Sequence, residues 1–317
     1  MQKTKRTAIL YFILLQCLVT MAQISDPREK LSITATVDGA TNSDYYWETE
    51  EGQRLENGSL RQSVNARLKA NVRLIGNKRF SLTFNPFYNF STRSLKADVL
   101  GPQLRLPIPD AHHHYGAGFT GSYNTQWLGK PFTLMAIVSG NFSQYGYENP
   151  SAMAGAIFTI TRNRTTYLAL GGIYLLGTSV SWPLYPLVIY THRFDDHWSV
   201  NIMETNNYVY YQATPKLRCA LGMELVTDKI YLRTDRTDLP RKVEISELSE
   251  RFGLFADFQA AQGVSLNFGL GVTVPFYNRL RESGYNKTYM RMYDKVKPFV
   301  KLQLKYSILS TGKKTSP

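Results

Sequence analysis

The sequence predicts an all-β chain closed into a single antiparallel transmembrane barrel of about 14 strands, and three observations predict it. Apolar and polar residues alternate over segments longer than soluble strands, short turns and long polar loops take turns between them, and a secretory leader precedes them all. Composition agrees. Of 317 residues 43% are hydrophobic and 13% aromatic, yet the mean hydropathy is only -0.27, because alternation dilutes each apolar residue with a polar neighbour.

The leader comes first. Lys3, Lys5 and Arg6 form a basic region, Ala8 to Val19 an apolar one, and Thr20-Met21-Ala22 supplies small residues for cleavage after Ala22. A bilayer-spanning helix needs about 20 apolar residues, and this run is shorter. Cys17 follows Gln16 inside the apolar run, so no lipid anchor is expected. Cleavage divides the chain into leader 1–22, barrel 23–309 and polar tail 310–317. It also removes Cys17 and three cations, leaving Cys219 as the only thiol and +10 of the net +13 charge. Neither a disulfide nor a cysteine-based zinc site is then available. Only Gln23 to Lys30 precede the first strand, which leaves no room for an N-terminal plug domain.

Alternation is clearest at Val64–Leu74, Val264–Val274 and Val296–Ile308, where a period of two puts every apolar side chain on one face. Weaker alternation marks Leu31–Val37, Phe80–Phe90, Tyr115–Tyr123, Phe132–Phe142, Ala152–Ile160, Tyr167–Leu175, Leu187–Thr191, Trp198–Met203, Tyr208–Ala213, Leu217–Leu225 and Phe252–Phe258. If the short pair around Thr205-Asn206-Asn207 is an inward or loop excursion, the barrel has 12 strands. Tight turns fall at Gly76-Asn77-Lys78, Leu128-Gly129-Lys130-Pro131, Arg162-Asn163-Arg164, Phe194-Asp195-Asp196, Ala213-Thr214-Pro215-Lys216 and Gln259–Gly263. Long loops are expected at Gly39–Arg61, Ser91–His112, Gln144–Pro150, Gly177–Leu184, Val226–Leu248 and Asn278–Arg291. Short turns on one side with long loops on the other, and Trp127, Phe132, Phe194, Trp198 and Phe258 beside the turns, are how a barrel meets a membrane.

Met21-Ala22-Gln23, the run Ser181-Trp182-Pro183-Leu184-Tyr185-Pro186, the turn-strand Asp195-Asp196-His197-Trp198-Ser199-Val200 and the Lys-rich closing strand resemble a family of Gram-negative outer-membrane β-barrel proteins of unknown function. The resemblance spans most of the mature chain. It implies a barrel in the outer membrane and brings no substrate.

Catalytic constellations are weak. Of His112, His113 and His114 only the first and third share a strand face, with Asp110 the one acidic ligand nearby, so no metal site is expected. Asp195 and Asp196 beside His197 suit a turn. A lipid-hydrolysing barrel needs a serine and a histidine on one outward face; His192 is the mid-strand histidine, and no serine pairs with it convincingly. No phosphate loop or HExxH motif occurs. The chain is therefore expected to be no enzyme and to need no cofactor.

The interior narrows the function. Met135, Ile137, Met153, Ile157, Leu168, Leu170 and Tyr174 are read as lumen-facing, which makes the lumen narrow or suited to amphiphiles. Arg67, Lys69 and Arg73 share the polar face of the second strand, and Lys297, Lys301 and Lys305 that of the last. Closing the barrel sets these six cations on either side of Ser32, Thr34 and Thr36. They form either an anion-attracting path or a network paired with acids such as Glu244, Glu247 and Glu250. The expected function is passage of small anionic or amphiphilic solutes, with outer-membrane lipid as partner and no nucleic acid. A filled structural or surface-interaction barrel is the alternative, and a lipid-modifying enzyme a third.

Overall fold

The computed structural model describes residues 29–98, 106, 108–176, 184–202, 206–285 and 287–309. The leader 1–22 and the tail 310–317 lie outside the described residues. The strands are β1 (Glu29–Thr49), β2 (Arg54–Gly76), β3 (Phe80–Asp98), β4 (Ala111–Trp127), β5 (Lys130–Ser143), β6 (Gly146–Arg162), β7 (Thr166–Leu176) and β8 (Leu184–Arg193). They continue with β9 (Trp198–Ile202), β10 (Asn206–Thr214), β11 (Leu217–Arg233), β12 (Lys242–Ala261), β13 (Val264–Glu282), β14 (Thr288–Asp294) and β15 (Lys297–Leu309).

Every pairing is antiparallel, and β1 closes the ring on β15 through Glu29–Ala40 and on β14 through Tyr45–Thr49. Strands β14 and β15 thus lie end to end on one stave, and the described barrel has fourteen staves. Among the described residues, all the segments marked by alternation form strands. The short β9 and β10 stand in the wall between β8 and β11, so the twelve-strand alternative falls.

The strands run longer than expected. The loops expected at Gly39–Arg61, Val226–Leu248 and Asn278–Arg291 are largely strand, and Gln144–Pro150 shrinks to a tight turn after Ser143. Alternation shows only where one face of a strand meets lipid. Beyond the bilayer the hairpins keep pairing because their backbone groups need partners, while apolar and polar residues alternate there only in short runs. At the other end, Leu128 (φ 51°) and Gly129 (φ 71°) both take the left-handed conformation, giving the two-residue turn whose twist suits a hairpin.

Outside, the wall is apolar: Ile33, Leu68, Phe119, Val138, Leu170, Leu221, Leu254, Leu270, Val300 and Leu302 are all exposed. Two aromatic girdles bound this belt. The lower holds Phe80, Tyr123, Trp127, Trp198 and Phe258, with Trp127 packed edge-on to Phe132 (5.6 Å) and Phe158 (5.7 Å). The upper follows one ladder, Tyr88–Tyr115–Phe142–Tyr147. Ten residues separate Phe132 from Phe142 on β5. That is roughly 34 Å along the strand and about 26 Å along the normal at a tilt of roughly 40°, close to the apolar band of a membrane barrel. The belt faces lipid, and what lies above the upper girdle stands clear of the bilayer.

Above that girdle the ring is pinched. The upper parts of β1 and β11–β14 roll around a core of their own, which includes Trp47, Ile230, Leu232, Ile245, Leu280 and Met292, with Leu106 and Ile108 packed against it. Ile230 faces that core, so Tyr231 faces away from it, and Tyr231 lies against the lumen-side rings of His112 (6.2 Å) and His114 (5.4 Å) on β4. The upper end of β11 has therefore left the wall and crossed the mouth of the barrel.

Candidate functional site

The lumen has two unlike walls. Along β5–β8 it is apolar: Met135, Ile137, Met153, Ile157, Ile173 and Leu187 belong to one buried cluster facing inward. The expectation for β7 is corrected here. Leu170 and Tyr174 are exposed on the lipid face, Leu168 shares their side of the strand, and Ala169, Ile173 and Leu175 line the inside. Strand β7 is apolar on both faces, so hydropathy could not set its parity. The ladder with β6, which places Ile157 against Gly171 and Met153 against Leu175, does so.

The opposite wall, from β1, β2, β11–β13 and β15, is charged and paired. Asp38 carries two guanidiniums, Arg251 at 2.5 Å and Arg67 at 3.2 Å, and accepts from Asn65 Nδ2 at 3.0 Å. Lys301 Nζ meets Glu224 Oε1 at 2.5 Å, and the Tyr208 hydroxyl donates to the same oxygen at 2.6 Å. Lys297 pairs with Asp294 at 3.0 Å and Lys305 with Glu29 at 2.8 Å. Arg73 is engaged as well. Lys69 makes no ion pair among the described residues. It faces Thr34 across the ladder from Lys305, so its charge looks into the lumen.

Closure thus brings the six cations to either side of β1, and four of them sit on carboxylates of the barrel itself. Those are not the acids the sequence suggested. Glu244 binds Arg281 at 2.7 Å, and Glu247 pairs with Arg93, which also reaches Asp228 at 3.3 Å. Burial alone would lift Glu247, but the Arg93 guanidinium outweighs it and holds the carboxyl below its ordinary range. A cavity of about 50 Å³ lies among these groups, lined by Asp38, Arg67, Arg93, Asp228, Glu247 and Arg251. Acids and bases nearly balance there, so it attracts neither sign strongly.

Asp38, Arg93, Glu224, Asp228 and Arg251 escaped the sequence reading, although Asp38 stands two residues on from Thr36 and shares its inward face. What hid them is distance: Arg93 and Glu247 lie 154 residues apart and meet only across the closed ring. The histidines divide as their parity requires. His112 and His114 face inward against Tyr231, while His113 packs outside with Tyr88 and Phe90. Burial first, then His114 and Arg93 beside it, push His112 down to about 4. His192 is held by Thr166 Oγ1 at 2.9 Å and stacks on Tyr190. Among the described residues no three histidine, cysteine or carboxylate side chains gather as metal ligands.

No family model matches the chain, and no curated protein matches it. Solved barrels align along most of its length. An outer membrane channel from Pseudomonas putida F1 is 12% identical with a TM-score of 0.42, covering 88% of this chain and 96% of that one. The toluene transporter TodX of P. putida is 8% identical at 0.37, over 90% and 93%. A FadL homologue from Pseudomonas aeruginosa is 11% identical at 0.39, over 87% and 90%. At these values the likeness assigns neither a family nor a function.

Proposed function

We propose that the chain is an outer-membrane barrel that passes small apolar or amphiphilic solutes. The observation that carries this reading is the apolar inner wall of β5–β8, since a lumen built for ions or sugars is polar all round. The lipid-facing belt between two aromatic girdles, together with the leader, supports the outer membrane as its place. The paired ladder removes most of the ground for an anion path and leaves Lys69 as the cation open to the lumen.

Uptake of N-phenyl-1-naphthylamine by intact Gram-negative cells tests the proposal, because their lipopolysaccharide leaflet slows apolar molecules. Cells carrying the folded barrel take up the probe faster than cells without it, and Ile137→Asn slows them. One observation favours a filled structural barrel instead: the polar cavity is only about 50 Å³, room for a few waters. Uptake no faster than in control cells, with the folded barrel present, is the result that reading requires.

A further inference from the structure

Charge is unevenly spread around the lower rim of the barrel, the end that faces the periplasm when short turns close it. Between Glu56 and Asp195 the sequence carries three acids, Asp98, Asp110 and Glu148, and all of them stand at the upper ends of β3, β4 and β6. The lower turns of the same stretch carry Lys78 and Arg79 at β2–β3, Lys130 at β4–β5, and Arg162 and Arg164 at β6–β7. All five cations are exposed, and none makes an ion pair among the described residues.

The far side of the rim is different. Arg193 pairs with Asp196 inside its own turn, Arg218 pairs with Asp257 at 2.8 Å, and the β12–β13 turn Gln259–Gly263 carries no charge. Five cations over three neighbouring turns repel one another, and an anion lying among them relieves that repulsion.

Position says which anion. Trp127 and Lys130 are partners on the β4–β5 ladder, so they share a face, and on β4 that face carries the exposed rings Tyr115, Phe119 and Tyr123. It is the face toward lipid. Trp127 packs edge-on to Phe132 and Phe158, while Lys130 Nζ donates to the Ile160 carbonyl at 2.8 Å, two residues before Arg162. That bond holds the ammonium beside the β6–β7 turn with two further donors to offer. Leu128, at the tip of its turn, is 78% exposed in a left-handed conformation (φ 51°) that leucine seldom adopts. Ring, apolar tip and cation thus stand together at the depth where headgroups begin. A soluble acidic partner would use the cations and leave the ring and the leucine without a role.

We propose that the β4–β5 and β6–β7 turns bind an anionic phospholipid of the periplasmic leaflet. Lys130, Arg162 and Arg164 hold its phosphodiester, and Trp127 and Phe158 take its chains. Lys78 and Arg79, two strands away and so about 10 Å off, add attraction without contact. The site goes beyond the solute path and stands or falls without it.

Single-tryptophan barrels test it, keeping either Trp127 or Trp198 and changing the other tryptophans to phenylalanine. Both rings lie in the lower girdle, but Trp198 follows Asp195 and Asp196 on the far side of the rim. Each barrel is refolded into phosphatidylcholine vesicles holding a minor share of phosphatidylglycerol brominated in its acyl chains, and quenching is compared with that by brominated phosphatidylcholine at the same share. Heat-modifiable gel mobility identifies folded barrel throughout. Trp127 senses phosphatidylglycerol roughly fivefold enriched, the factor that one cation near an anionic headgroup supplies, and Trp198 senses no enrichment. Lys130→Gln with Arg162→Gln and Arg164→Gln brings Trp127 down to the Trp198 value. Equal quenching at the two rings, or enrichment that survives the folded triple variant, overturns the site. Enrichment abolished by inorganic phosphate, at an ionic strength matched with chloride, overturns it too, because the site would then take free phosphate. Native mass spectrometry of the unaltered barrel needs no variant: phosphatidylglycerol is retained in preference to phosphatidylcholine, and equal retention overturns the proposal.

Discussion

Replacing Lys301 by methionine strands Glu224 inside the barrel. The lysine is 8% exposed and the glutamate 5%, and once the ammonium is gone the carboxylate keeps, among the described residues, only the Tyr208 hydroxyl, a neutral donor. Breaking a buried pair by removing one partner costs about 3–5 kcal/mol, because an uncompensated charge is left behind. Lys305 and Glu29 make the contrasting pair. They too are in contact, at 2.8 Å, but the lysine side chain is 37% exposed, and such a pair is worth about 0–1 kcal/mol. Urea unfolding from phospholipid vesicles, followed by tryptophan fluorescence and gel mobility, measures both. Lys301→Met loses at least about 2 kcal/mol more than Lys305→Met, and Glu224→Gln added to Lys301→Met restores a large part of it. Equal losses at the two lysines, or a double variant no better than the single, would refute the view that the ladder holds the wall together. Reversal potentials test Lys69 in another way: Lys69→Glu shifts the value toward cations, because Lys69 faces the lumen and makes no ion pair among the described residues.

Other expectations follow from register and burial. Leu68 and Leu270 are 48% and 44% exposed on the lipid face, so arginine at either costs roughly 2–4 kcal/mol near the midplane. Asn267, whose Nδ2 donates to Asp257 inside at 2.7 Å, takes arginine at much lower cost; equal losses at the two kinds of site would show the register to be wrong. His112 has its folded pKa depressed from 6.5 to about 4, so its contribution is complete above pH 6.5 and is lost as the pH falls toward 4. Exchange of the Tyr231 amide, corrected for its intrinsic rate, accordingly speeds up between pH 7 and pH 5, and His112→Gln flattens the change; no change in the native chain would mean that His112 does not hold β11. Trypsin added to intact cells cuts between Thr234 and Arg241, the connection from β11 to β12, and spares Lys78 in the opposite turn. Cutting at Lys78 would reverse the topology.

How much of this was legible beforehand differs from feature to feature. The strand at Val64–Leu74 announced itself, because lipid on one side and lumen on the other write a period of two into the sequence. The turn Leu128-Gly129 and the ring Trp127 were equally plain, since backbone conformation and headgroup position are local demands. Strand β14 was not legible, because apolar and polar residues alternate there only over the short run Met290-Arg291-Met292, too brief a pattern to mark a strand in the sequence. Strand β7 was legible as a strand but not in its facing, because apolar residues occupy both sides and only the ladder with β6 chooses between them.

By itself, then, the sequence determined the barrel, its belt and the gathering of six cations on either side of the first strand, all consequences of local periodicity and of closure. Tertiary structure alone decided that Asp38, Glu224, Asp294 and Glu29 neutralise four of those cations. It also decided that β11 crosses to His112, since that depends on which distant strands face one another across a closed ring, and no local pattern records it.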